Sequence, residues 1–247
     1  MVPAKLLKTA LPEITFAAAA DEGRPILTGI LTEISQGKLE LVATDGFRLA
    51  HKAVGLETDA KTSFRALIPR RTFEEVVRLI TEEIGESDEE KVEISTSENQ
   101  NQMVFKVGQT QLSSRLIEGQ FPAWEKIVPQ KFENRTVIER DQLLKATKLA
   151  SVFSRSEANI VKLETLKGKI RLSSGAKQLG EQETEVEAQS EGNPITIAFN
   201  SKYLIEALSA CNASQVSLEF SGNLSPALIK PLGETGLEYV VMPIRLS

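Results

Sequence analysis

The chain repeats itself, and that constrains it more than any single motif does. Leu6-Leu7-Lys8 and Phe16 return as Leu143-Leu144-Lys145 and Phe153, a shift of 137 positions. Gly37-Lys38-Leu39 returns as Gly168-Lys169-Ile170, a shift of 131, and the apolar stretch Phe64–Ile68 returns as Ile195–Phe199 at that same shift. Matched residues in the same order across both halves imply two copies of one supersecondary plan, each with its own core. The 247 residues, 41% of them hydrophobic, suffice for two ordinary domains without covalent staples. The expected domains are 1–130 and 131–247, with the joint near Pro129–Glu133.

Each copy reads as helix, strands, helix, strands. In the first, a helix is expected from Leu6 toward Phe16, interrupted at Pro12, whose missing N–H breaks the ladder. Strands follow at Ile26–Ile34 and Lys38–Thr44, then a reversal at Asp45-Gly46 and a returning strand. An Asp-Gly pair between apolar runs predicts a tight primed hairpin turn, because Gly46 accepts a positive φ and Asp45 tolerates one. After a strand at Phe64–Ile68, Thr72-Phe73-Glu74-Glu75 reads as a capping box opening a helix over Thr72–Ile84, which ends in the acidic Gly85–Glu90 run. Strands at Val92–Ser95, Met103–Val107 and Thr110–Leu116 complete the copy. The second copy predicts a helix over Asp141–Phe153 and another from Asn200-Ser201, with Cys211 facing inward. Its last strands are expected at Val216–Phe220, Ala227–Lys230 and Leu237–Ile244. The fold class is therefore α+β, two tandem units with two helices each packed on antiparallel sheet.

The residues of catalysis are sparse. His51 is the only histidine and follows an apolar strand end, which favours a structural or solvated role over that of a general base. One cysteine cannot form an intramolecular disulfide, and one cysteine with one histidine makes no transition-metal cluster. Glu86–Glu90 lacks calcium-loop spacing, and neither GxxxxGK nor GxGxxG occurs. No cofactor is expected. No apolar run nears the roughly 20 residues that span a bilayer, so no membrane partner is expected either. A net charge of −5 excludes a uniformly basic coat but not one basic face. Lys145, Lys148 and Arg155 share one side of their helix, Lys5 and Lys8 pair similarly in the first copy, and Arg70-Arg71 precede the capped helix. Few aromatics interleave with these charges, so any nucleic-acid contact would be to the backbone, without sequence preference.

Taken together, six stretches resemble the bacterial DNA polymerase III beta subunit, or sliding clamp, family. They are Phe16 through Arg24-Pro25-Ile26-Leu27-Thr28-Gly29, Ala43–Ala50, Ile68-Pro69-Arg70-Arg71, Glu118–Pro122, Phe199–Tyr203 and Tyr239–Leu246, and they run in the family's order along the whole chain. Family subunits have three domains, and the resemblance covers the middle and last. It implies a truncated or partial product, with a trimer of two-domain subunits as the second expectation.

The resemblance implies a non-catalytic processivity factor, cytoplasmic and nucleoid-associated. Its ring encircles double-stranded DNA and tethers polymerases and the clamp loader through short peptides. Lys8, Arg24, Arg70, Arg71, Lys145 and Lys148 are implied to face DNA. Peptides are implied to dock between the two domains. The deep apolar part of that pocket would be Leu27, Thr44, Gly46, Phe47, Arg48, Leu49, Pro122, Ile127, Val240 and Met242. The shallower part would be Asn200, Tyr203, Leu224, Pro243, Ile244 and Arg245, with Lys126 at the rim. The alternative from another class is a small-molecule enzyme whose inter-domain cleft grips an anionic substrate with Arg48 and Arg245.

Overall fold

The protein is described by a computed structural model covering residues 1–56, 63–85, 87, 89–97, 101–154, 159–176 and 180–245. Arg155, Leu246, Glu86 and Asp88, which enter the readings above, lie outside the described residues. The chain divides into two compact units, Met1–Pro122 and Ala123–Ser247. The stretch between that division and the expected joint carries a short 3-10 turn, Trp124–Lys126.

The first unit starts with β1 (Val2–Pro3), α1 (Ala4–Ala10) and α2 (Pro12–Thr15). Pro12 splits the expected helix as its chemistry requires, standing at the first position of α2, where no N–H is needed. The predicted strand over Ile26–Ile34 is only partly formed: Pro25–Thr28 is a 3-10 turn, and β2 begins at Gly29 and runs to Ser35. Pro25 pre-sets the turn's φ, and Arg24 O accepts Leu27 N–H at 2.9 Å, which closes it. Next come β3 (Lys38–Thr44), β4 (Arg48–Gly55), β5 (Phe64–Pro69) and α3 (Arg70–Leu79), which continues as a π-helical turn over Ile80–Ile84. Gly85, at φ 70°, ends that turn by donating to Ile80 O at 3.0 Å. The unit closes with β6 (Lys91–Thr96), β7 (Gln102–Val107) and β8 (Thr110–Arg115).

The predicted capping box does not form. The helix starts two residues early, at Arg70 after Pro69, and the Thr72 hydroxyl pairs with that of Ser114 at 2.6 Å. A Thr already inside the first turn is too late to cap, so tertiary packing takes its hydroxyl instead. Phe73 and Val76 face the core, and the Phe73 ring meets Phe105 edge-on at 5.9 Å.

The second unit runs β9 (Asn134–Glu139), α4 (Arg140–Ser154), β10 (Ile160–Leu166), β11 (Lys169–Ala176), β12 (Gly180–Gly192), β13 (Thr196–Asn200), α5 (Ser201–Ala210), β14 (Gln215–Phe220), β15 (Ala227–Pro231) and β16 (Leu237–Val241). Here a side-chain cap does form: Asn200 Oδ1 accepts Lys202 N–H at 3.0 Å, worth about 1 kcal/mol. Cys211 is buried as expected, but just past the end of α5, as its extended C-cap rather than inside the helix. The last strand is shorter than the expected Leu237–Ile244, because Pro243 has no N–H for a ladder.

The units share one strand plan. In the first, β5-β2-β3-β4 form one antiparallel ladder and β1-β6-β7-β8 another. In the second, β13-β10-β11-β12 and β9-β14-β15-β16 repeat it. The 131 shift is exact in the ladders, since Gly29 pairs with Pro69 as Ile160 pairs with Asn200. Over the first helix the structural shift is 136, one less than the residue matches predict. Leu7, Ala10, Leu11 and Ile14 are buried, and so are Leu143, Ala146, Thr147 and Ala150. A shift of 137 would set buried Leu11 against exposed Lys148. The Leu-Leu-Lys match is thus a one-residue slip, invisible until burial is known.

Candidate partner-binding and nucleic-acid-facing residues

The reversal at Asp45-Gly46 forms, but as a four-residue connection. Thr44 pairs with Leu49 across the hairpin, and only Gly46 takes a positive φ, 90°, whereas a primed two-residue turn needs two such residues. Asp45 instead folds its carboxylate over the loop. Its Oδ1 accepts the N–H of Phe47 at 2.9 Å and of Arg48 at 3.0 Å, and its Oδ2 meets Arg48 Nε at 3.2 Å. The Thr44 hydroxyl donates to Arg48 O at 2.6 Å and accepts Gly46 N–H at 3.0 Å. A charge-assisted bond of this kind contributes about 1.5–3 kcal/mol, so the loop is tightly held.

That network separates the loop's candidate residues into two kinds. Phe47 is 54% exposed, whereas Arg48 is only 8% exposed. Arg48 Nη2 donates to Phe16 O at 2.7 Å, and its guanidinium lies 5.2 Å from the Phe16 ring centroid. Thr44 and Leu49 are buried, while Leu27 is half-buried in the 3-10 turn. Pro122 is exposed at the end of the unit. Arg48 therefore anchors the loop from beneath, and nothing supports the anion grip of the enzyme alternative.

In the second unit, Val240 is buried in β16, while Met242 is 37% and Leu224 60% exposed. The chain beyond β16 is not a free tail: Ile244 N–H donates to Ala198 O on β13 at 2.7 Å. This bond brings Met242, Pro243, Ile244 and Arg245 alongside the strand that leads into Asn200 and Tyr203. Ile127 and Tyr203 are half-buried, and Lys126 is exposed in the Trp124–Lys126 turn. Asn200 spends its side-chain oxygen on its cap.

The basic residues separate likewise. Lys145 and Lys148 are exposed on α4. Arg71 is exposed, 4.0 Å from Glu22, while Arg70 pairs with Glu74 at 3.0 Å. Lys8 Nζ donates to Gly85 O at 3.2 Å, and Arg24 Nη1 to Asp45 O at 2.7 Å. Arg70 and Arg71 border a cavity of about 460 Å³ whose other walls are Ala19, Ala20, Glu22, Pro25, Thr28, Pro69 and Ile117.

Three features had escaped the sequence reading. Asp45 is the organising acceptor of its loop, and the Asp-x-x-Arg spacing to Arg48 was the available signal. Glu13, 2% exposed, pairs with Lys52 at 2.9 Å. His51 faces Glu40 at 3.4 Å across the β3–β4 ladder. Partial burial pushes the Glu40 carboxyl up, but the bond and charge of Lys38, then His51, outweigh it and hold that carboxyl below its ordinary value.

By fold, the molecule is a tandem repeat of one α+β unit. Residues 1–123 match the model of the DNA polymerase III beta subunit central domain, and residues 125–245 that of its C-terminal domain. The chain belongs to the DNA polymerase III beta subunit family. Curated relatives named beta sliding clamp, from Staphylococcus aureus strain Mu50 and Synechococcus elongatus, are each 33% identical, over 98% and 94% of this chain. The chain spans 62% and 61% of their lengths. The DNA polymerase sliding clamp of Bacillus subtilis superposes with a TM-score of 0.91 at 28% identity, over all of this chain and 64% of that one. A Thermotoga maritima DNA polymerase III beta subunit gives 0.90 at 29%, over all of this chain and 65% of that one. Among the described residues, no helix is long and apolar enough to cross a membrane.

Proposed function

We propose that this chain works as a sliding clamp or part of one, a non-catalytic scaffold that holds polymerases and other replication proteins on double-stranded DNA. The observation that carries the reading is the tandem unit itself, matched to the family from residue 1 to 245. A tether needs no chemistry: holding a partner at the template keeps its effective concentration high without sequence-specific contacts. Self-association into a ring around DNA belongs to this reading, and sedimentation that finds only monomer at working concentrations overturns that part.

In this reading short peptides are the partners' handles. Phe47, Met242 and Leu224 supply exposed apolar anchors, and Tyr203, Pro243, Ile244 and Arg245 supply a rim. Within the first unit Leu27, Thr44 and Leu49 form the floor beneath Phe47, and within the second Ile127 and Val240 are the supporting residues. Exposed aromatic and Met side chains over a firm backbone suit hot-spot binding. A labelled peptide from the tail of a bacterial replicative polymerase is expected to bind with micromolar affinity, as small transient interfaces do. Met242→Ala and Phe47→Ala should each weaken it about tenfold; unchanged affinity in both variants defeats the pocket assignment.

Lys145, Lys148 and Arg71 are the accessible cations for DNA, with Lys8 and Arg70 nearer to structural duties. Contacts of long side chains to phosphates predict weak duplex binding that falls steeply with salt. Tight binding that persists at high salt contradicts a backbone-only contact.

A further inference from the structure

The loop that presents Phe47 is fastened to the segment before β2 at two points. One is Arg48 on Phe16 O, from within the hairpin. The other comes from outside it: Arg24 Nη1 donates to Asp45 O at 2.7 Å. Arg24 directly precedes the 3-10 turn that carries Leu27, and Leu27 N–H returns to Arg24 O at 2.9 Å. One arginine thus joins the turn bearing Leu27 to the loop bearing Phe47.

We propose that Arg24 is a positioning residue for peptide binding: its guanidinium holds the Asp45 carbonyl and so fixes the loop that displays Phe47. The inference rests on the peptide-binding reading above and assigns Arg24 a duty that charge alone would have given to DNA. Asp45 O lies one peptide from Gly46, the residue at φ 90°. Glycine has the widest backbone freedom of any residue, and the Asp45–Gly46 peptide is held at its N–H by the Thr44 hydroxyl and at its carbonyl by Arg24. The space above Gly46 is fitted to that tie, since a Cβ there would stand 3.4 Å from Arg24 Nη1. Without Arg24 the Asp45 carbonyl loses its tie while the loop's own bonds remain, so the loop loosens at that one peptide, and restoring its order falls to the bound peptide as a cost of binding.

The test is a double-mutant cycle with a spectroscopic control. In the free protein, Arg24→Ala should shift or broaden the backbone amide resonances of Gly46, Phe47 and Arg48, and Arg24→Lys, which keeps one donor, should largely restore them. With the labelled polymerase peptide, Arg24→Ala should weaken binding about fivefold while lowering the melting temperature by only a few degrees, and Arg24→Lys should recover most of the binding loss. In a Phe47→Ala background the Arg24→Ala penalty should vanish, because Arg24 acts through the loop. A penalty undiminished in that background means that Arg24 meets the peptide itself and overturns the proposal. So does peptide affinity unchanged by Arg24→Ala. If the wild-type protein ignores the peptide, the functional reading fails, while the amide shifts still decide whether Arg24 holds the loop.

Discussion

The two units run through the same elements in the same order, yet they build their first helix differently. In both, one backbone bond just past the last strand ties the two ladders together: Ile117 N–H donates to Leu67 O at 2.9 Å, as Ile244 N–H donates to Ala198 O at 2.7 Å. In the second, β12 runs for 13 residues, pairs with β11 through Gly180–Glu187, and continues along β9 through Ala188–Gly192. Two ladders become one eight-strand run. The first helix is where they differ: Pro12 breaks it in the first unit, whereas exposed Lys148 at the equivalent place leaves α4 whole. Shared topology thus leaves room for a helix broken in one copy and whole in the other, and a single proline decides it.

Gly192→Ala is the sharpest way to break the second unit's joint. At φ 92° any side chain is strained, and a Cβ would come within 2.0 Å of Glu133 O, a backbone atom. A loss of about 3 kcal/mol or more is expected, seen as faster amide exchange in β9 and β12 with the first unit unaffected. Next in size is the buried pair of the first unit. At the structural shift of 136, Glu13 stands where the second unit has exposed Leu149. Lys52→Met removes the cation 2.9 Å from a buried carboxylate and should cost the first unit about 3–5 kcal/mol. Adding Glu13→Leu should recover most of that, since apolar groups often replace a buried ion pair without loss. Denaturation of the single and double variants decides it.

A smaller effect concerns pH. Glu40 titrates below its ordinary value in the folded chain, so the folded state binds its proton less readily than the unfolded state does. Its contribution is complete above the ordinary carboxylate range and is lost as pH falls through the folded value. Glu40→Gln should flatten the acid limb of the first unit's stability curve. Glu185, held low by hydrogen bonds from Lys169 and then Arg171, makes the matching pair in the second unit. It lies at the surface, 36% exposed, so Glu185→Gln should change the limb less and only at low salt. Smallest of all, Pro12→Ala should join α1 to α2 with a stability change of less than about 1 kcal/mol, because Pro12 already stands where no N–H is required. A large loss would mean that the break itself matters.

Much of this architecture could be read from the residues, and where it could not the reasons are physical. Gly37 and Gly168 marked equivalent turns because both take positive φ, 72° and 79°, which side-chained residues avoid. Pro12 marked a break because a missing N–H has no substitute, and the strand expected through Pro243 stops at Val241 for the same reason. The capping box at Thr72 failed because a hydroxyl bonds whatever lies nearest, and Ser114, 42 positions away, lies nearest. The helix register slipped because Leu6 and Leu7 are equally apolar and only packing distinguishes them. In the candidate site, Phe47 and Met242 were legible as apolar residues in turn and tail. The separate duties of Arg48 and Arg24 were not, since charge on a side chain does not reveal which carbonyl it will meet.

The long β12 also matters for how the second unit would carry a load. A strand pulled along its axis while it is bonded to β11 at one end and β9 at the other shares the force among all its ladder bonds at once. Under tension along β12 the second unit therefore behaves as one continuous beam.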